Sequence, residues 1–249
     1  MFPLRDDNPT LATPAVTIAL VALNVAAWML VQGGGAEPML TRSVCTLGLI
    51  PGELFGLVPD GTKVQLGRHA FCEIHHTATS VLSPLTSMFL HGGWFHLLGN
   101  MWFLWVFGNN VEDSMGKVRY AVFYLLCGLA AAAAQAAANP GSAVPMVGAS
   151  GAIGGVMGAY ASLYPRARVE MLVVLGFYVT RADVPALFVL GYWFLLQVLG
   201  GMPSLAAEGG GVAFWAHVGG FVAGYLLSFA FRDAELVAEH RRLTGGRLA

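Results

Sequence analysis

Six stretches of this chain are apolar for long enough to need an environment other than water. They run over about 14–31, 95–108, 118–138, 150–163, 184–199 and 212–231. A helix of about 20 apolar residues crosses the roughly 30 Å hydrocarbon core of a bilayer. The composition agrees, with 56% of the 249 residues hydrophobic and only 11% charged. Soluble domains carry roughly a quarter charged residues. The expected fold class is therefore an all-α membrane protein, a bundle of six transmembrane helices embedded in a lipid bilayer. The net charge of −1, with no basic run, gives no case for nucleic acid as a partner.

A seventh apolar run, VEMLVVLGFYVT at 169–180, is short and flanked by Arg166, Arg168, Arg181 and Asp183. It reads as an excursion along the membrane interface. The first block reads as a retained span and not a cleaved signal, being long and ending in QGGG.

Lys and Arg orient the spans, because they accumulate on the cytoplasmic side. With the N-terminus inside, Arg5, Lys117, Arg119, Arg166, Arg168, Arg181, Arg232, Arg241, Arg242 and Arg247 lie inside. Only Arg42, Lys63 and Arg68 lie outside. The expected organisation is a cytoplasmic tail at 1–13, a six-span domain at 14–231 with an outer loop over about 32–90, and a cytoplasmic tail at 232–249. A bacterial inner membrane is the expected location.

The outer loop holds Cys45 and Cys72, which pair if that side is oxidising and the geometry permits, and stay free otherwise. Cys127 lies in an apolar run and reads as packing. His69, His75 and His76 have no ligand-like spacing and read as surface histidines. No metal site or cofactor is indicated.

Four polar residues fall at one depth in the apolar blocks. The fourth block ends at Pro165 and Arg166, which mark the cytoplasmic interface. At about 1.5 Å per residue, Ser150 stands about 24 Å above it. That is short of the far side of a roughly 30 Å core, so the mouth of this short helix must open into a wet, protein-lined cavity. By the same rise His217, counted from Arg232, stands about 22 Å up. His96 and Asn100, counted from Glu112, stand about 24 and 18 Å up. Polar groups inside a membrane are costly, and a set of four from three helices points to function more than to interhelical glue.

Glycine spacing points the same way. Ser150, Gly154 and Gly158 share one helix face, as do His217, Gly220 and Gly224. Small residues at such spacing let membrane helices approach closely. If the two faces pack, hydroxyl and imidazole come within hydrogen-bond reach. A serine hydroxyl becomes a useful nucleophile when a neighbouring base takes its proton. His217 is the candidate base. Asn100, His96 and the free amides at the start of the Ser150 helix are candidate donors to an oxyanion. All Asp and Glu lie in tails, loops or span ends, so a Ser–His dyad is expected, with no acidic third member.

The strings HGGWFHLLGN (91–100), VEDSMG (111–116), GASG (148–151) and AHVGG (216–220) together resemble the rhomboid family of intramembrane serine proteases. The resemblance implies a six-span rhomboid bundle whose short central fourth helix carries the serine. It implies Ser150 as nucleophile and His217 as general base, with Asn100, His96 and the Ser150 backbone as the oxyanion hole. His91, Gly148 and Gly151 are implied in support, and Glu112 as a brace for the turn between the second and third spans. The implied substrates are single-span membrane proteins, cut in or near their transmembrane segment. The implied oligomeric state is open. Two departures stand out: VLSPLTSMFL lacks the Trp-Arg pair that many members carry before the second span, and Gly154 stands where some members stack a Tyr on the catalytic His. The fifth block and the connector GMPSLAAEGGG read either as a gate and cap or as a lipid-facing helix and linker. A rhomboid-like protein that binds spans without cutting them is the alternative, and a transporter with midplane polar residues is a more distant one.

Overall fold

The structure is a computed structural model that describes residues 2–67, 70–76, 78–203 and 212–244. His69, Arg68, Arg247 and most of the GMPSLAAEGGG connector lie outside these residues.

Ten helices are described. They are α1 (Ala15–Ala26), α2 (Met39–Leu47), α3 (Pro51–Leu54), α4 (Ser83–Thr86), α5 (Trp94–Met115), α6 (Lys117–Ala138), α7 (Ser150–Leu163), α8 (Ala186–Gly201), α9 (Phe214–Phe231) and α10 (Ala234–Leu243). A π-helical turn at Ala27–Val31 extends α1. Among the described residues α6 and α9 are long and apolar enough to cross a membrane, while Ala15–Val31 and α8 are apolar but shorter.

The helices pack around α7, which is buried from Gly151 through Ala161 and touches α5, α6, α8 and α9. Glycine makes this possible. A Cβ added at Gly220 would lie 1.9 Å from the Gly151 carbonyl oxygen, and one at Gly224 would lie 1.9 Å from that of Gly155. One at Gly158 would lie 2.1 Å from the Phe221 carbonyl oxygen. The small faces of α7 and α9 therefore meet backbone to backbone, as the spacing anticipates.

The expectation of an all-α chain needs correction. Residues 169–180 belong to a hairpin of β4 (Arg168–Leu175) and β5 (Tyr178–Pro185), with Gly176 and Phe177 at the turn. The N-terminal segment is no free tail but strand β1 (Phe2–Asp6), which pairs antiparallel with β4 in a sheet of order β1-β4-β5. The reason is a two-residue period. Val169, Met171 and Val173 are buried, while Glu170 turns to the other face. There Glu170 binds Arg5 Nε at 2.6 Å and Arg181 at 3.0 Å, tying all three strands together. A second hairpin, β2 (Lys63–Gln65) with β3 (Phe71–Glu73), lies in the outer loop. A disulfide joins Cys45 of α2 to Cys72 of β3. Cys127 is buried in the main core. The His76 ring bonds the carbonyls of Val58 and Glu53, at 2.8 and 3.1 Å, and so staples the loop.

The C-terminal segment likewise continues as α10, capped by the Asp233 carboxylate on the amides of Glu235 and Leu236. Glu112 differs from its expected place. Its carboxylate accepts from Val16 N, Thr17 N and Thr17 Oγ1 at 3.0, 2.8 and 2.9 Å. It thus caps the start of α1, where Pro14 offers no side-chain cap. An acid suits that position because the first amides of a helix lack intrahelical acceptors and carry partial positive charge. Gly116, with φ 75, makes the α5–α6 turn by itself.

The Tyr160 hydroxyl of α7 donates to the Asp6 carboxylate of β1. Burial, with Asp7 nearby, pushes the Asp6 carboxyl up to about 7 against the opposing hydrogen bond. The native chain then holds a proton that the unfolded chain loses near the ordinary Asp value. Stability contributed at this site falls as pH rises from about 4 to about 7 and levels off above. Asp6→Asn is expected to flatten that part of the Tm-versus-pH curve in detergent. An unchanged slope in the variant would place the buried proton elsewhere.

Candidate active site

Ser150 begins α7, and its approach is governed by Gly148. Gly148 has φ 134, a conformation that L side chains rarely adopt. The position of its missing Cβ lies 2.8 Å from His96 Nε2 and 3.5 Å from Ser150 Oγ. One glycine therefore lets the imidazole of α5 and the hydroxyl of α7 approach the same point. The Gly148 amide donates to the Ser87 carbonyl at 2.9 Å, which anchors the turn. A small cavity beside Ser150 is lined by Ser87, Met146, Gly148, Gly151 and Ala216, among others.

His217 lies one turn into α9, and its Nε2 is 2.8 Å from Ser150 Oγ. Its Nδ1 is 2.7 Å from Gln197 Oε1. The amide of Gln197 is oriented by its other end, which donates to the Trp193 carbonyl at 3.3 Å. Its oxygen therefore faces His217 as an acceptor. The proton of neutral His217 then sits on Nδ1, leaving a lone pair on Nε2 for the serine proton. The ring of Trp193 lies beside the imidazole, centroids 5.7 Å apart and planes inclined by 38°. A Cβ at Gly154 would lie 3.6 Å from Trp193 Cη2. The indole thus occupies the space beside the histidine that a side chain at position 154 would otherwise enter.

His96 Nδ1 accepts from the Gly92 amide at 3.3 Å, which leaves the Nε2 proton directed toward the Gly148 turn. Asn100 is one turn further along the same face of α5. Its buried Nδ2 makes no hydrogen bond among the described residues. The first amides of α7, at Ser150 and Gly151, have no acceptor within the helix. His96 thus reaches the Gly148 turn beside Ser150, and His217 bonds Ser150 itself. The His91 ring is buried and stands edge-on to His96 at 5.2 Å. Its backbone is clamped by Gln32, which accepts from His91 N at 2.8 Å and donates to His91 O at 2.7 Å. Gly151 packs on Ala131, and Gly154, Gly158, Gly220 and Gly224 form the α7–α9 contact. Glu112 stands apart, at the start of α1.

Three supports escape a reading of the sequence. Gln32 and Gln197 are single amides at the ends of apolar blocks, with no spacing to mark them. Gln135, whose Oε1 accepts from the Ala216 amide at 3.2 Å, lies within an alanine-rich run. The one available signal is that each is an uncharged polar residue in an apolar segment.

The family model described as Rhomboid domain matches residues 78–234. The chain is 29% identical over 171 residues to Rhomboid protein 1, mitochondrial, of Saccharomyces cerevisiae, covering 66% of this chain and 46% of that protein. It is 32% identical over 170 residues to RHOMBOID-like protein 7 of Arabidopsis thaliana, covering 68% and 48%. It is 30% identical over 159 residues to Rhomboid protease GluP of Bacillus subtilis, covering 64% and 28%. The chain thus spans less than half the length of each of these relatives. The matched region runs from just before α4 to the start of α10 and contains Ser150, His217, His96 and Asn100, and on that match the chain belongs to the rhomboid family of membrane-integral proteins.

Proposed function

We propose that this protein is an intramembrane serine endopeptidase that cleaves single-span membrane proteins in or near their transmembrane segments. The observation that carries the reading is the 2.8 Å hydrogen bond between Ser150 Oγ and His217 Nε2. In this mechanism His217 Nε2 takes the hydroxyl proton as Ser150 Oγ bonds to the scissile carbonyl carbon. The oxyanion is held by His96 Nε2–H, Asn100 Nδ2–H and the Ser150 amide. Donors that stand in place before the charge develops lower the barrier without rearrangement. His217 then returns its proton to the leaving amine as the C–N bond breaks. Water, deprotonated by the same imidazole, hydrolyses the acyl-serine and restores the hydroxyl. No metal or cofactor enters any step.

The proposed topology has six spans within residues 14–231, made by the extended α1 and by α5, α6, α7, α8 and α9. Both termini, with β1 and α10, face the cytoplasm of a bacterial plasma membrane. Ten of the thirteen Lys and Arg on that side support this orientation. The Cys45–Cys72 disulfide supports an oxidising environment for the outer loop. In this topology the 14-residue α7 stops short of the outer surface. Ser150 then meets water from that side without exposure to lipid. Helical substrates shelter their carbonyls in hydrogen bonds, so segments weakened by Gly, Pro or polar residues unwind at lower cost and are cut preferentially. The non-cleaving alternative gains no support from a hydroxyl and an imidazole held in productive contact.

A fluorophosphonate probe tests the nucleophile without knowledge of the substrate. The purified protein is expected to be labelled once, at Ser150, and Ser150→Ala to remain unlabelled. Equal labelling of both, or of neither, overturns the assignment.

A further inference from the structure

We infer that Gln197 is the positioning residue of the base, so that α8 supplies what an acidic triad member supplies in soluble serine proteases. The inference rests on the dyad reading and goes beyond it. Two independent contacts of α8 meet His217. Gln197 Oε1 accepts from Nδ1 at 2.7 Å, and the Trp193 ring flanks the imidazole at 5.7 Å. Trp193 and Gln197 are four residues apart and so project from one face of α8. The Gln197 Nε2–Trp193 O bond at 3.3 Å fixes which end of the amide faces the histidine.

A neutral amide can do part of what a carboxylate does. By accepting from Nδ1 it selects the tautomer with a free Nε2 lone pair and holds the ring plane toward Ser150. In soluble triads the buried acid does this and also stabilises the imidazolium electrostatically. An amide oxygen offers the dipole alone. That suits a site in a low-dielectric surround, where an unpaired carboxylate is costly to bury. The apolar sequence around position 197, GYWFLLQVLGG, explains why an acid is absent there.

The test compares wild type, Ser150→Ala, Gln197→Leu and Gln197→Glu on one model single-span substrate in proteoliposomes, with kcat, KM and the pH profile of each. Melting temperatures confirm that the variants are folded. Gln197→Leu keeps bulk but cannot accept a hydrogen bond. It is expected to lower kcat roughly ten- to a hundredfold with KM little changed, the usual scale for loss of an orienting partner. Gln197→Glu restores the acceptor and is expected to recover most of the loss. Its charge stabilises the imidazolium, so the acidic limb of the profile moves up by about one pH unit or more. A Gln197→Leu protein with the wild-type rate and profile overturns the inference. So do equal losses in both variants with the acidic limb unmoved, which mark a packing role. If Ser150→Ala cleaves like wild type, or wild type neither cleaves nor reacts with fluorophosphonate, the dyad reading itself fails and the inference with it. If wild type cleaves, Ser150→Ala does not and Gln197→Leu matches wild type, only the role of Gln197 is lost.

Discussion

Ser150→Ala and His217→Ala are each expected to reduce substrate cleavage at least about a thousandfold, and the double variant to be no slower than the worse single one. The two groups act on one proton across one 2.8 Å contact. Removing either leaves the other without a task, so their effects do not add. The donors at His96, Asn100 and the α7 amides remain in place and still bind the carbonyl, which sets the residual rate. The measurement is initial rate in proteoliposomes, with melting temperature as a folding control. Both substitutions remove side chains at the mouth of α7 and leave the α7–α9 contact, which is made by glycine, intact. Multiplicative losses in the double variant would show that the two residues contribute separately, and the shared-proton mechanism would then be wrong.

Gly220→Ala is expected to destabilise the fold by about 3 kcal/mol or more, the upper end of the usual range for overpacking. The added Cβ meets the Gly151 carbonyl oxygen at 1.9 Å, and that atom belongs to the backbone of the buried α7. No rotamer change relieves the clash. α7 and α9 must move apart by about 1 Å to restore an ordinary contact near 3 Å or more. The same movement stretches the Ser150–His217 hydrogen bond, which spans the same pair of helices. Gly220→Ala is therefore expected to lose cleavage as well as stability. A Tm decrease of roughly 6–12 °C corresponds to that energy for a chain of this size. Gly191→Ala is the control. It lies in α8, and an added Cβ there has nothing within 4 Å. Its expected effect is neutral or slightly stabilising, as for Gly to Ala in an open helical position. Equal behaviour of the two variants would mean that close approach of α7 and α9 does not limit stability.

The candidate site was readable to different depths at different residues. Ser150 and His217 each stand at the head of a small-residue face, and both spacings obey the 3.6-residue period. Their meeting needed only that the two faces pack, and the Gly220–Gly151 approach is that packing. The start of α7 at Ser150 and its end at Leu163 match the bounds read from the sequence, because Pro165 and Gly148 punctuate the chain on either side. Glu112 reads as structural from its place at a span end, but its partners Val16 and Thr17 are not legible there. Nothing local ties an acid at the end of α5 to amides almost a hundred residues earlier. The hairpin at 168–185 is not legible locally, because VEMLVVLGFYVT read alone resembles an interfacial segment and its pairing with β1 joins residues remote in the chain.

The sequence by itself determined the membrane character of this protein, the helix that bears each polar group, and the faces that can approach closely. These follow from hydropathy and helical period, which are properties of neighbouring residues. Tertiary structure alone decided the sheet that ties the N-terminal strand to residues 168–185, the capping of α1 by Glu112 and the support of His217 by Trp193 and Gln197. Each joins groups from elements remote or separate in the chain. A hydrogen bond forms where packing brings donor and acceptor within about 3 Å, and no local pattern encodes that distance.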